Sequence, residues 1–217
     1  KLMIWYDNEW SYSCQLLKLL SYIITKNESK KKNDIIEKNF IDQANFDNKN
    51  VILRVDWNIP FNIHTFQIND DFRIVSSLTT IKYILSKNIK RLLIISHLGR
   101  PKNSNDIYYS FSNFLEKIQT YIKDEIKFLD KGIHQESLNI MNENKYKVYL
   151  CENIRYHNEE ISYCSNNNNN LLKIFNKMGD LFINDAFGCL HRNHMSICGF
   201  NGKKYYGYLI HKELNCL

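Results

Sequence analysis

Short, almost wholly apolar runs recur along most of this chain: Val51–Val55, Leu92–Ile95, Ile126–Leu129, Val148–Cys151 and Leu181–Ile183. Each is too short for a helix and none alternates strictly with polar residues, which is the pattern of strands covered on both faces. Between the first two, Ile74, Val75, Leu78, Ile81, Ile84 and Leu85 form one stripe and predict a helix over Asp71–Lys87. A second helix is predicted over about Phe111–Asp124, after the second strand. Apolar strands alternating with amphipathic segments mark βα units on a parallel sheet, so the expected class is α/β from about residue 47 onward.

The flanks read differently. Residues 1–26 hold an aromatic, turn-like stretch and then the stripe Leu16, Leu17, Leu19, Leu20, Ile23, Ile24, which suits one face of a helix. Residues 27–46 open with Asn-Glu-Ser-Lys-Lys-Lys-Asn and read as a polar linker. The run Asn166–Asn170 reads as a mobile surface loop.

Composition adds less. The chain has 217 residues, 44% hydrophobic and 24% charged, with a formal charge of +6 that favours an anionic partner without naming one. Its six cysteines form no C-x-x-C pair, so reduced thiols are expected. No run of about 18 apolar residues is present to span a bilayer. Starting at Lys1, the sequence reads as a fragment or a processed product.

Polar residues fall in a more telling way. Asp56 and Asn58 follow the first strand, His97 and Arg100 the second, Arg155 the fourth, and Asp185, His191 and Arg192 the fifth. Open α/β sheets bind ligands beyond the carboxyl ends of their strands, so four strand ends deliver polar groups to one rim. Converging arginines suit a ligand with both carboxylate and phosphate, since guanidinium pairs with either. Asp56 and Asn58 suit a hydroxyl, which donates to a carboxylate and accepts from an amide. The inventory describes a small phosphorylated hydroxy acid.

The segments 53–60 (LRVDWNIP), 96–102 (SHLGRPK), 151–160 (CENIRYHNEE) and 184–194 (NDAFGCLHRNH) resemble, in order and spacing, signature segments of the phosphoglycerate kinase family. The resemblance covers about residues 47–217 and corresponds to that family's amino-terminal domain, a Rossmann-like parallel sheet flanked by helices. It implies that Asp56 and Asn58 hold the hydroxyl of 3-phosphoglycerate and that Arg73 is the catalytic arginine. It makes His97 a substrate ligand, and Arg100, Arg155 and Arg192 the grip on the phosphate, with His191 beside them. Trp57, Ser96, Gly99 and Ile154 enter the substrate site as members of the same motifs. The resemblance further implies a cytoplasmic, monomeric glycolytic kinase, an organelle remaining open. Mg²⁺ and ATP or ADP would be bound by a carboxy-terminal nucleotide-binding domain absent here, so this chain is expected to bind substrate without turning it over.

Residues 1–13 (KLMIWYDNEWSYS) resemble the last strand and turn of glyceraldehyde-3-phosphate dehydrogenase, with Cys14–Thr25 as its final helix and Asn8 at the position that touches NAD. Ser11 replaces a usual Gly. A fusion of two glycolytic enzymes, cut inside both, is the implied organisation.

Departures from the kinase pattern are Trp57 for Phe, Cys189-Leu190 for Thr-Ala, and a short Asn201–Tyr206 segment. Arg54 lies on the opposite face from Val55 and reads as a surface or salt-bridge arginine without a site role. Asp185 reads as a brace for the loop carrying Arg192, and Cys151 as a buried small hydrophobe. His191, His194 and Cys198, with Cys189 nearby, have loose metal spacing and no second ligand pair, so no metal is expected. Basic residues are not interleaved with aromatics on one face, so no nucleic-acid partner is expected either, and no membrane. A catalytically dead anion-binding module and a basic nucleic-acid-binding scaffold are the alternatives.

Overall fold

The computed structural model describes residues 39–103, 105–163 and 170–215. The dehydrogenase-like stretch 1–26, and most of the Asn166–Asn170 run, lie outside these residues. Asn170 itself opens a helix.

Six parallel strands form one sheet: β1 Asn50–Arg54, β2 Arg91–Ile95, β3 Ile126–Leu129, β4 Val148–Cys151, β5 Leu181–Asn184 and β6 Lys203–Tyr206, ordered β3-β4-β2-β1-β5-β6. The helices between them are α1 Phe72–Leu85, α2 Leu115–Gln119, α3 Gln135–Asn142, α4 Asn158–Ile161, α5 Asn170–Lys177, α6 Met195–Cys198 and α7 Tyr208–Asn215. This is the α/β parallel sheet flanked by helices that the pattern of apolar runs predicts.

Successive strand residues point to opposite faces, and each face meets its own core. Val51, Leu53, Leu92, Ile94, Val148, Leu150, Leu181 and Ile183 pack with Ile74, Ile81 and Ile84 of α1 and with Phe111 and Phe114. Ile52, Leu93, Ile95, Tyr149, Cys151 and Phe182 pack on the other side with Leu138 and Met141 of α3 and with Ile174 and Phe175 of α5. Burial on both sides explains why the central strands lack polar alternation.

Three expectations change. The segment over Phe111–Asp124 is a tight turn, Phe111–Phe114, followed by the short α2. The edge strand β6, reading Lys-Lys-Tyr-Tyr, carried no apolar run to reveal it. Packing of the domain begins inside the stretch 27–46 read as a polar linker: Ile41 is fully buried, Phe40 and Phe46 are buried, and the Tyr206 amide donates to the Asn39 carbonyl.

The β1–β2–β5 centre of the sheet opens all its carboxyl ends on one rim. There the loops after β1, β2, β4 and β5 meet the first turns of α1 and α7.

Candidate functional site

After β1 the side chains go on alternating between core and rim through Val55–Ile59. Asp56 and Asn58 face a cavity, while Trp57 turns into the core with no exposure. Trp57 is fixed there by its indole N–H, which donates to Ser77 Oγ of α1 at 2.9 Å. Its backbone N–H donates to Ser96 Oγ at 2.8 Å, and that hydroxyl donates to the Val55 carbonyl at 2.9 Å. Ser96 thus ties the loop after β1 to the loop after β2.

The loop after β2 brings His97, Gly99 and Arg100 to the cavity. Gly99 has φ +57° and lies against Tyr109, where a Cβ would meet the ring at 2.1 Å, so glycine alone fits both the backbone and the space. Its N–H donates to Asn58 Oδ1 at 2.8 Å, leaving the amide nitrogen of Asn58 for a ligand. The loop after β4 is stitched on by Asn153, whose amide donates to the Leu98 and Tyr109 carbonyls at 2.7 and 2.9 Å. Arg155 follows and donates to the Gly99 carbonyl. The loop after β5 supplies Gly188, Cys189, His191 and Arg192. Together they enclose about 960 Å³, at the upper end of the usual range for small-molecule sites.

The electrostatics of this cavity are one-sided. Arg155 is held down to about 10, first by burial and then by Arg192, Arg54 and Arg100 around it. The His97 imidazole is pushed well below its ordinary value by burial first, and then by Arg54, Arg155 and Arg192. His191 is lowered too, by burial and by Arg192 and His194. Cations that lower one another's proton affinity in this way are ones that a bound anion would relieve.

Two buried polar atoms at this cavity make no hydrogen bond: Asp56 Oδ1 and Arg155 Nε. Asp56 Oδ2 accepts from Arg73 NH1 at 2.5 Å, so the expected catalytic arginine starts from an ion pair with the expected hydroxyl ligand. Arg73 is half exposed in the first turn of α1.

Of the residues expected at a site, Asp56, Asn58, Arg73, His97, Gly99, Arg100, Arg155, His191 and Arg192 line this one cavity. Trp57, Ser96 and Ile154 do not. Ile154 is buried in the second core, where its N–H donates to the Ser96 carbonyl at 3.2 Å, so these three hold the loops rather than the ligand. Phe72, Phe187, Leu209 and Glu213 also line the cavity and were not foreseen. Neither was Cys189, noted only as a departure.

Arg54 needs correction: it is fully buried. Both faces of a parallel sheet are covered, so pointing away from Val55 does not mean pointing to water. Asp185 does brace, though not the loop bearing Arg192. Its Oδ1 accepts from the Leu209 and Ile210 N–H groups at 2.9 and 3.4 Å and fixes the start of α7. Cys151 is fully buried, as expected. Among the described residues, the grouping that brings three metal-ligating atoms together is Asp56, His97 and Cys189, not the His191, His194, Cys198 set.

An open parallel α/β sheet with arginines lining a cavity at its strand ends has the chemistry to receive a small anion. Comparison with known proteins sharpens that reading. The family model for phosphoglycerate kinase matches residues 41–217, and the chain belongs to that family. It is 36% identical over 180 residues to the phosphoglycerate kinase of Coprothermobacter proteolyticus, covering 82% of this chain and 44% of that protein. To the Schizosaccharomyces pombe enzyme it is 35% identical over 178 residues, covering 77% and 42%. The crystal structure of phosphoglycerate kinase from Pyrococcus horikoshii OT3 superimposes with a TM-score of 0.71 at 28% identity, covering 81% of this chain and 44% of that one. The chain therefore spans less than half the length of the relatives it matches. Among the described residues no helix is long and apolar enough to cross a membrane.

Proposed function

We propose that this chain is the 3-phosphoglycerate-binding half of a phosphoglycerate kinase. The whole enzyme transfers a phosphoryl group reversibly between ATP and the carboxylate of 3-phosphoglycerate, giving 1,3-bisphosphoglycerate and ADP. The observation that carries this reading is one cavity in which Arg100, Arg155 and Arg192 converge beside the buried, unpartnered Asp56 Oδ1. Guanidinium groups take the phosphate and carboxylate, and Asp56 takes the proton of the single hydroxyl.

Arg73 then has a defined task. A carboxylate accepting a phosphoryl group faces like charge on its donor, and phosphoryl transfer depends chiefly on positioning and charge neutralisation. When a substrate hydroxyl engages Asp56, Arg73 is the half-exposed cation free to turn to the reacting oxygens. The cavity exceeds the needs of a three-carbon acid, and its Phe72–Leu209–Glu213 side leaves room for a second reactant.

ATP would supply the phosphoryl group and Mg²⁺ would neutralise its charge, but the described residues do not fit them. The sequence has no glycine-rich phosphate loop. An ion bracketed by Asp56, His97 and Cys189 would meet the Arg54 guanidinium, which lies 3.1 Å from His97 Nδ1 and 4.0 Å from Cys189 Sγ. The nucleotide is assigned on this reading to the part of the relatives' length that this chain does not span, and the reading takes the enzyme as a cytoplasmic monomer.

Calorimetric titration of the chain with 3-phosphoglycerate tests the reading. Saturable binding is expected, weakened at least about tenfold by Arg155→Ala. A chain folded by circular dichroism that gives no binding heat overturns it. Trp57, sealed in the core, is a poor reporter for this titration.

A further inference from the structure

Arg54 is buried at the end of β1, behind the cavity, and no carboxylate among the described residues lies within ion-pair distance of it. Its Nε donates to Ser196 Oγ at 3.2 Å, and NH1 donates to the Val55 carbonyl. Behind Ser196 lies Glu160, fully buried, which accepts from the Ser196 hydroxyl at 2.7 Å and from its backbone N–H at 2.8 Å. A carboxylate one hydroxyl away thus holds the guanidinium in place without quenching it. NH2 is left to face His97 Nδ1 at 3.1 Å.

A guanidinium has donors only. The atom facing it must therefore offer a lone pair, which makes Nδ1 the unprotonated nitrogen and puts the single proton of a neutral imidazole on Nε2. An imidazolium would set N–H against N–H. The other groups around the ring agree: Arg155, Arg192 and His194 disfavour added charge, and Cys189 Sγ sits 3.9 Å from Nδ1, within reach only as a weak partner. Asp56 is the exception. Its unpartnered Oδ1 lies 3.8 Å from Nδ1, too far for a hydrogen bond but close enough to capture a protonated ring after a small shift.

We propose that Arg54 is a positioning residue that locks His97 as the neutral Nε2–H tautomer. The lock aims a donor at the bound anion and prevents a His97–Asp56 ion pair that would consume the acceptor kept for the substrate hydroxyl. The inference deepens the 3-phosphoglycerate reading and rests on it for the ligand's identity, while the tautomer itself is readable without ligand.

The test is long-range ¹H–¹⁵N NMR of the histidines in this chain between pH 5 and 8. His97 is expected as Nε2–H throughout, without titrating. An Nδ1–H signal, or a His97 titration inside that range, overturns the proposal. In Arg54→Met the depression of the ring's pKa is expected to ease without vanishing, because burial, Arg155 and Arg192 remain, the ring should populate Nδ1–H, and 3-phosphoglycerate binding should weaken at least about tenfold. Arg54→Lys, which keeps a charged donor, should retain the tautomer. A folded Arg54→Met chain that keeps Nε2–H also overturns the lock. The expected tautomer in a wild-type chain that binds no 3-phosphoglycerate would sustain the lock and sink the substrate assignment instead.

Discussion

Two carboxylates stand just past strand ends of this sheet, with β2 between their strands, and meet opposite fates. Glu152, after β4, is saturated: Ser110 Oγ donates to one oxygen, and the Phe111 and Asn153 N–H groups donate to the other at 2.9 and 2.7 Å. Asp56, after β1, has one oxygen on Arg73 and the other buried with no partner. Buried polar groups in folded proteins are nearly always satisfied, so the first carboxylate is spent on structure and the second is held for something else. Lining this cavity is what separates the two, since other unpartnered atoms, such as Tyr149 OH and Asp185 Oδ2, belong to residues that do not line it.

The largest effect should come from the saturated side. Glu152→Ala strands the hydroxyl and two amides that it holds, and should destabilise the fold by about 3 kcal/mol in urea unfolding. If the loss is below about 1 kcal/mol, the comparison fails at its structural end. Gly99→Ala follows at about 2 kcal/mol, because φ +57° and the Tyr109 ring both resist a Cβ. It should also weaken 3-phosphoglycerate binding, since Gly99 holds both Asn58 and Arg155.

Asp185 tests whether an unpartnered carboxylate oxygen without a cavity behaves differently. Burial raises its pKa to about 6, against 3.8 when exposed. The folded chain then binds more protons than the unfolded one between those values, so this group's contribution falls as pH rises from about 4 to about 6 and is flat above. The span amounts to something on the order of 3 kcal/mol. Asp185→Asn should remove that slope from its own curve, so that the difference between the two stability–pH curves displays it. An unchanged slope would mean that the carboxylate is solvated in the folded chain. The buried His97 and His157 act in the opposite sense, adding stability as pH rises towards their unfolded values, and they cancel in this subtraction.

What the sequence revealed follows the same physics. β1, β2, β4 and β5 were legible because strands buried on both faces read as continuous apolar runs. β6 was not, because an edge strand spelled Lys-Lys-Tyr-Tyr has no such run. Motif order located the cationic rim, but adjacency along a motif could not say which members turn inward. The loop after β1 sends Asp56 and Asn58 to the cavity and Trp57 to the core, a distinction that period-two alternation offered and motif membership hid. Arg54 was missed through the reverse error, alternation applied as though one face of a parallel sheet were wet. The pairing of Arg73 with Asp56 depends on α1 meeting the loop after β1, which no local pattern encodes.

The smallest stability effect is the sharpest form of the comparison. Arg155 carries a buried Nε without a partner and sits among Arg192, Arg54 and Arg100, all of which oppose its charge. Its compensations are the hydrogen bond to the Gly99 carbonyl and the nearby Cys189. Arg155→Met keeps most of the side-chain volume and removes the repulsion, so the ligand-free chain should lose no more than about 0.5 kcal/mol, and a gain is the expected sign. Binding of 3-phosphoglycerate should fall at least about tenfold in the same variant. Residues that cost stability and serve the ligand separate in this way from residues such as Glu152, whose loss damages the fold first. If Arg155→Met unfolds the chain as readily as Glu152→Ala does, the arginine is structural, and the cavity has lost its strongest claim to an anion.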